Sequence, residues 1–270
     1  MPSFRLNPVV SLFLWLMAAF ALVWTGPLFV PAAGSTTSFA ALLWKALAAA
    51  LALGANLALL RRSSPLLGLK PSLRAAGFLV FGALLGLLLV GLWAASFRLL
   101  VPFHLTFGNI TGAELACSLC IYLFGALLEE LAFRGHALIR LRERYGTIAA
   151  ITLVSLAFGL LHLPGMTGVN AIKIVALTGL SSLLFCLAYL LSGSLWMAVG
   201  LHAGMNFMLH SVLGAGGGRG PSLFKPIYTQ TLPVAYDAAF WSLMVIQFAF
   251  AIALLIGGPR HFPMLPRNRR

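Results

Sequence analysis

RAAGFLVFGALLGLLLVGLWAASFR, residues 74–98, holds 23 uncharged and mostly apolar residues between two arginines. A helix rises 1.5 Å per residue, so a run of this length reaches across the roughly 30 Å hydrocarbon core of a bilayer. Working outward, the same pattern recurs along the chain. Of its 270 residues, 61% are hydrophobic and 9% charged, with mean hydropathy +0.99. A soluble domain carries about 25% charge. Eight apolar runs stand out, at about 9–31, 38–60, 75–97, 113–139, 147–163, 169–191, 194–212 and 237–257. The predicted fold class is all-α: a polytopic membrane helix bundle of about eight transmembrane helices. The first run exceeds the 7–15 residues of a signal-peptide core, so it reads as an uncleaved span.

The net charge of +13 raises the question of nucleic acid. Its distribution answers that question in the negative. Arg61, Arg62, Lys70 and Arg74 fall in one short loop; Arg140, Arg142 and Arg144 in the segment 140–146, read as a turn; Arg260, Arg267, Arg269 and Arg270 in the C-terminal tail. With eight spans these groups share a side with Arg5. That is the positive-inside pattern, and it predicts that both termini are cytoplasmic. The expected partners are the lipid bilayer and a membrane-associated peptide or protein. Ala/Leu-rich spans and short loops point to a bacterial cytoplasmic (inner) membrane. The segment 213–236, rich in Gly and Pro, is the candidate mobile loop. The expected organisation is helices one to three over 1–112, a core of helices four to seven over 113–212, an extracytoplasmic loop at 213–236, and a last helix with a basic tail over 237–270. Cys117, Cys120 and Cys186 all lie within apolar runs and read as packing residues.

Some polar residues have simple roles. Thr111 and Glu114 form a capping-box pattern at the start of the fourth run. Lys45 and Lys173 lie near helix ends and can snorkel. The stretch LLEELAFRG, residues 127–135, is different. A charge at the centre of a membrane helix costs about 2.5–3.5 kcal/mol on insertion scales. Glu130 and Arg134, four residues apart, are close enough on one helix face for an ion pair. Glu129 points about 100° away, and the only partner on its own face is His136. It should be neutral or in use. His162 closes the fifth run, and His202, Asn206 and His210 step by four along the seventh, a polar stripe facing into the bundle. A carboxylate with an imidazole can activate water, and a second imidazole with an amide can stabilise an oxyanion. These are the groups that amide hydrolysis inside a membrane requires.

At these residues the chain resembles the CAAX-processing and bacteriocin-immunity membrane proteases (the CPBP or ABI family, with its Rce1-type prenyl-protein endopeptidases). The family motifs EExxxR, FxxxH and HxxxN stand here as Glu129-Glu130 to Arg134, Phe158 to His162, and His202 to Asn206. The resemblance covers about residues 115–210. It implies an eight-helix intramembrane endopeptidase of the CAAX-protease type, in which Glu129 and His162 activate the attacking water. His202 and Asn206 would hold the oxyanion, and Glu130 and Arg134 would shape the site. It implies a glutamate-dependent, cofactor-free reaction, while zinc on Glu129, His162 and His202 stays open beside it. Two other readings of the same residues are a non-proteolytic immunity or scaffold protein and a proton-coupled transporter using Glu129. One geometric tension accompanies the resemblance. Counted from the cytoplasmic turns, Glu129 lies about 16 Å deep, His202 about 12 Å and His162 about 24 Å, too wide a spread for straight parallel helices.

Overall fold

The computed structural model describes residues 15, 17, 18, 21, 37–60, 65, 67–215, 220–228 and 232–261. The expected first span therefore lies outside the described residues, apart from Trp15 and a few neighbours. Helix α1 spans Phe39–Leu60 and α2 spans Leu73–Leu100, followed by strand β1, Phe103–Phe107. Helix α3, Gly112–Glu130, runs through a π-helical segment, Leu131–Ala137, into α4, Leu138–Tyr145. Then come α5, Thr147–Leu161, α6, Gly168–Ser192, and α7, Leu195–Asn206, which ends in a second π-helical segment, Phe207–Val212. Strand β2, Phe224–Tyr228, and α8, Leu232–His261, complete the order. Five helical runs are long and apolar enough to cross a membrane: Phe39–Leu60, Leu73–Leu100, Gly112–Tyr145, Gly168–Ser192 and Val234–Gly257. The protein is a helical membrane bundle.

The side-chain distribution suits that solvent. On α1 the large residues Leu43, Leu47 and Leu51 are exposed, while Ala48, Ala49, Ala52 and Asn56 are buried. Lipid solvates leucine well, so helices in a bilayer gain most by packing small residues against one another. Starts and stops follow ordinary capping chemistry. Ser72 accepts the Ala75 N–H at the start of α2. Thr111 and Glu114 form a full capping box at the start of α3.

Three segments depart from the sequence-based expectation. Residues 140–146 are not a turn. Helix continues to Tyr145, favoured by an Arg140–Glu143 ion pair at 2.8 Å, and stops at Gly146, whose φ of 83° is the left-handed region glycine tolerates. The segments 98–112 and 213–236 are not plain loops either. They pair as antiparallel strands, with Phe103 opposite Tyr228 and Phe107 opposite Phe224. A sheet contact spanning more than a hundred residues has no local signal.

Helices α2 and α7 meet along a glycine seam. A Cβ on Gly82 or Gly86 would collide with the α7 backbone at Met197 and Leu201, and one on Gly200 or Gly204 with the α2 backbone at Leu79 and Ala83. Both helices carry the small-xxx-small spacing, which lets membrane helices approach to backbone contact. His202 lies between the two glycines of α7, so this seam sets where it sits.

The π-helical segment after Glu130 has a tertiary cause. Asn56 of α1 pushes its side chain into the helix backbone. Its Nδ2 donates to Leu131 O at 3.1 Å and its Oδ1 accepts the His136 N–H at 2.7 Å. Trp15 Nε1 donates to the neighbouring carbonyl, Ala132 O, at 2.8 Å. Gly135 takes a non-helical ψ of −117°, and a Cβ there would overlap the Asn56 amide. A side chain inserted into the hydrogen-bond ladder is a known cause of helix kinks.

Candidate active site

Glu130 and Arg134 are both fully buried, and Arg134 Nε lies 3.3 Å from Glu130 Oε2. The pair is not isolated. His202 Nδ1 donates to Glu130 Oε1 at 2.9 Å. Arg134 Nη2 donates to the Ser182 carbonyl at 3.0 Å and to its hydroxyl at 2.7 Å. The guanidinium also lies 4.8 Å from the Phe158 ring centre and 5.2 Å from that of Phe185. One carboxylate is thus held by two cationic or N–H partners. Those partners are fixed in turn by α6 and by aromatic faces, as a buried ion needs.

Glu129 differs from its neighbour. Its side chain keeps 15% exposure, and its Oε2 lies 3.9 Å from His202 Nε2 without forming a hydrogen bond. The partner of Glu129 is therefore His202 on α7, not His136. The His136 ring instead meets the edge of Trp15, with centroids 6.0 Å apart. His136 lies inside the π-helical segment and Glu129 just before it, so the seven-residue step does not keep them on one face.

His202 stands between the two glutamates, one at each ring nitrogen. Phe185 stacks flat on it, with centroids 4.4 Å apart and planes 14° from parallel. With Nδ1 engaged by Glu130, Nε2 is the ring atom left to meet a ligand. His162 is oriented by its own helix, its Nδ1 donating to the Phe158 carbonyl at 2.8 Å. A carbonyl only accepts, so the proton sits on Nδ1 and Nε2 carries the lone pair. Phe158 joins the two histidines, 4.8 Å from the His162 ring and 5.9 Å from that of His202. The four-residue step from Phe158 to His162 thus supplies both a carbonyl and a shared aromatic wall.

Counting α4 as helix brings Glu129 and His162 level, while His202, about 12 Å along α7 from Ser194, has its level set by its contact with Glu130. From the Gly146 turn, Glu129 lies about 26 Å along the α3–α4 run and His162 about 24 Å along α5. Helices α3 and α7 are antiparallel, so their four-residue steps match: His202 meets Glu130, and the His210 ring stacks on Tyr122 at 5.7 Å. Asn206, half-buried at the end of α7, falls at the level between. The polar stripe of α7 therefore faces α3. Asn56, Ser182 and Phe185 were missed in the sequence because each belongs to the site only through another helix.

Among the described residues no group of three or more His, Cys, Asp or Glu side chains is placed to hold an ion, although both histidines keep Nε2 open, with Nδ1 bonded to an acceptor. Zinc on Glu129, His162 and His202 would need these groups rearranged, so no step below passes through one.

Fold and site together define a class: an integral membrane helical protein with a buried carboxylate–imidazole cluster on neighbouring helices. Residues 111–208 match the family model described as Type II CAAX prenyl endopeptidase Rce1-like. The match begins at the cap of α3 and takes in Glu129, Glu130, Arg134, Phe158, His162, His202 and Asn206. No curated protein and no solved structure matches the chain.

Proposed function

We propose that this protein is an intramembrane endopeptidase with eight membrane-crossing segments, both termini in the cytoplasm, and residence in a bacterial cytoplasmic membrane. The observation that carries the proposal is the contrast within Glu129–Glu130. One carboxylate is fully buried and held by Arg134 and His202. The next keeps partial exposure and faces an imidazole without being consumed by it.

In this reading Glu129 takes a proton from water, and the hydroxide attacks the scissile carbonyl. His162, with Nε2 free, is the second acceptor at the same water. The developing oxyanion meets the Asn206 amide and the Nε2–H of a doubly protonated His202, whose Nδ1–H stays on Glu130. Glu129 then returns its proton to the leaving amine, and the peptide bond is broken without a covalent intermediate. Glu130 and Arg134 hold His202 in place. The substrate is a peptide tethered to or lying in the bilayer, the class to which the CAAX-type family name points.

The test is a quantitative comparison of peptides released from membranes of cells expressing wild type, Glu129→Ala or His162→Ala. Peptides present only with wild type, from variants that insert equally well, support the reading. Identical peptide sets in wild type and Glu129→Ala overturn it.

A further inference from the structure

Asn56 appears in no motif and touches no candidate catalytic atom, yet it is completely buried and spends its amide on backbone of the α3–α4 run. Its Nδ2 donates to both Ala52 O, at 2.8 Å, and Leu131 O, while its Oδ1 accepts from His136 N. With Trp15 on Ala132 O, two successive carbonyls of the widened turn accept from tertiary donors. Buried backbone groups need partners, and Asn56 Oδ1 supplies one to the His136 N–H, so these contacts favour the widened turn here. One extra residue in a turn rotates everything beyond it by about 100° relative to an unbroken helix. Arg134 sits inside that turn. Its direction fixes the contact with Glu130, and Glu130 in turn fixes His202 through Nδ1.

We propose that Asn56 is a positioning residue for the site: it clamps the Leu131–Ala137 turn in its π register, and the register aims Arg134 so that Glu130 holds His202 against Glu129. The inference rests on the hydrolytic reading above. Gly135 is the other half of the device, because only a residue without a Cβ admits the Asn56 amide.

Three variants separate positioning from general stability: Asn56→Ala, Gly135→Ala and the double Asn56→Ala/Gly135→Ala. Each single change lowers the melting temperature in detergent, the first by stranding backbone groups and the second by collision. In the double variant a Cβ occupies the space of the missing amide, alanine favours regular helix, and the melting temperature returns near wild type. Turnover of the peptides that distinguish wild type from Glu129→Ala does not return. A displacement near 1 Å at a catalytic group costs about 100-fold, and the loss falls on kcat with KM unchanged, because Asn56 does not meet substrate. A double variant with wild-type turnover, or one that does not fold, overturns the proposal. A second readout is independent of activity: the Nδ1 resonance of His202 in ¹⁵N-histidine-labelled protein shifts in the double variant, and an unmoved resonance overturns the clamp. If wild type and Glu129→Ala release the same peptides, the hydrolytic reading fails, and this resonance alone decides whether Asn56 orders the cluster.

Discussion

Helix α7 has two unlike sides. Toward α2 it shows Gly200 and Gly204, with backbone against backbone and no polar side chain between. Toward α3 it shows His202, held against two glutamates and stacked on an aromatic ring. Inside a bilayer the first side has no hydrophobic force to draw on and relies on close packing. The second carries ionisable groups that are expensive there. The comparison shows a division of labour: the glycine seam fixes the helix, which leaves the polar side free to serve a reaction.

The largest effect is expected on the seam. Gly200→Leu should push α7 off α2 and give no monodisperse protein on size exclusion. Gly77→Leu, on the same α2 but facing open space, should behave as wild type. Equal behaviour of the two would remove the seam from the account. Next comes the polar side. Arg134→Met removes the cation from a fully buried carboxylate, and breaking such a pair costs about 3–5 kcal/mol. A clear drop in melting temperature checks this, and an unchanged one would mean that His202 alone satisfies Glu130. The smallest effect is expected from chelation. Phenanthroline and its non-chelating isomer should leave cleavage equally intact, whereas selective loss with the chelator would place a metal in the mechanism.

Much of this was legible in the amino-acid order, for a physical reason. A membrane helix announces itself by the length of an apolar run, and the described helices fall on seven of the expected stretches. The Glu130–Arg134 contact is local, four residues apart on one helix, and needs no knowledge of the fold. Other features arise only between helices. Nothing around Leu131–Ala137 signals a π-helical turn, because its donors, Asn56 and Trp15, come from far upstream. His202 as the shared neighbour of Glu129 and Glu130 depends on how α3 and α7 are set side by side. The glycine seam is an intermediate case. The spacings Gly82 to Gly86 and Gly200 to Gly204 are plain to read, and could have been recognised as a close-packing signal. Charged residues hid α4, since RLRERY looks like a loop beside so much apolar sequence, although arginine and glutamate are good helix formers.

The most direct measurement of the central claim compares Glu129→Gln with Glu130→Gln, each purified in detergent and measured for both peptide cleavage and melting temperature. If adjacent carboxylates have separate duties, Glu129→Gln abolishes cleavage and melts as wild type does, while Glu130→Gln melts lower because Arg134 loses its counter-ion. Full cleavage by Glu129→Gln would contradict the account, whatever the second variant did.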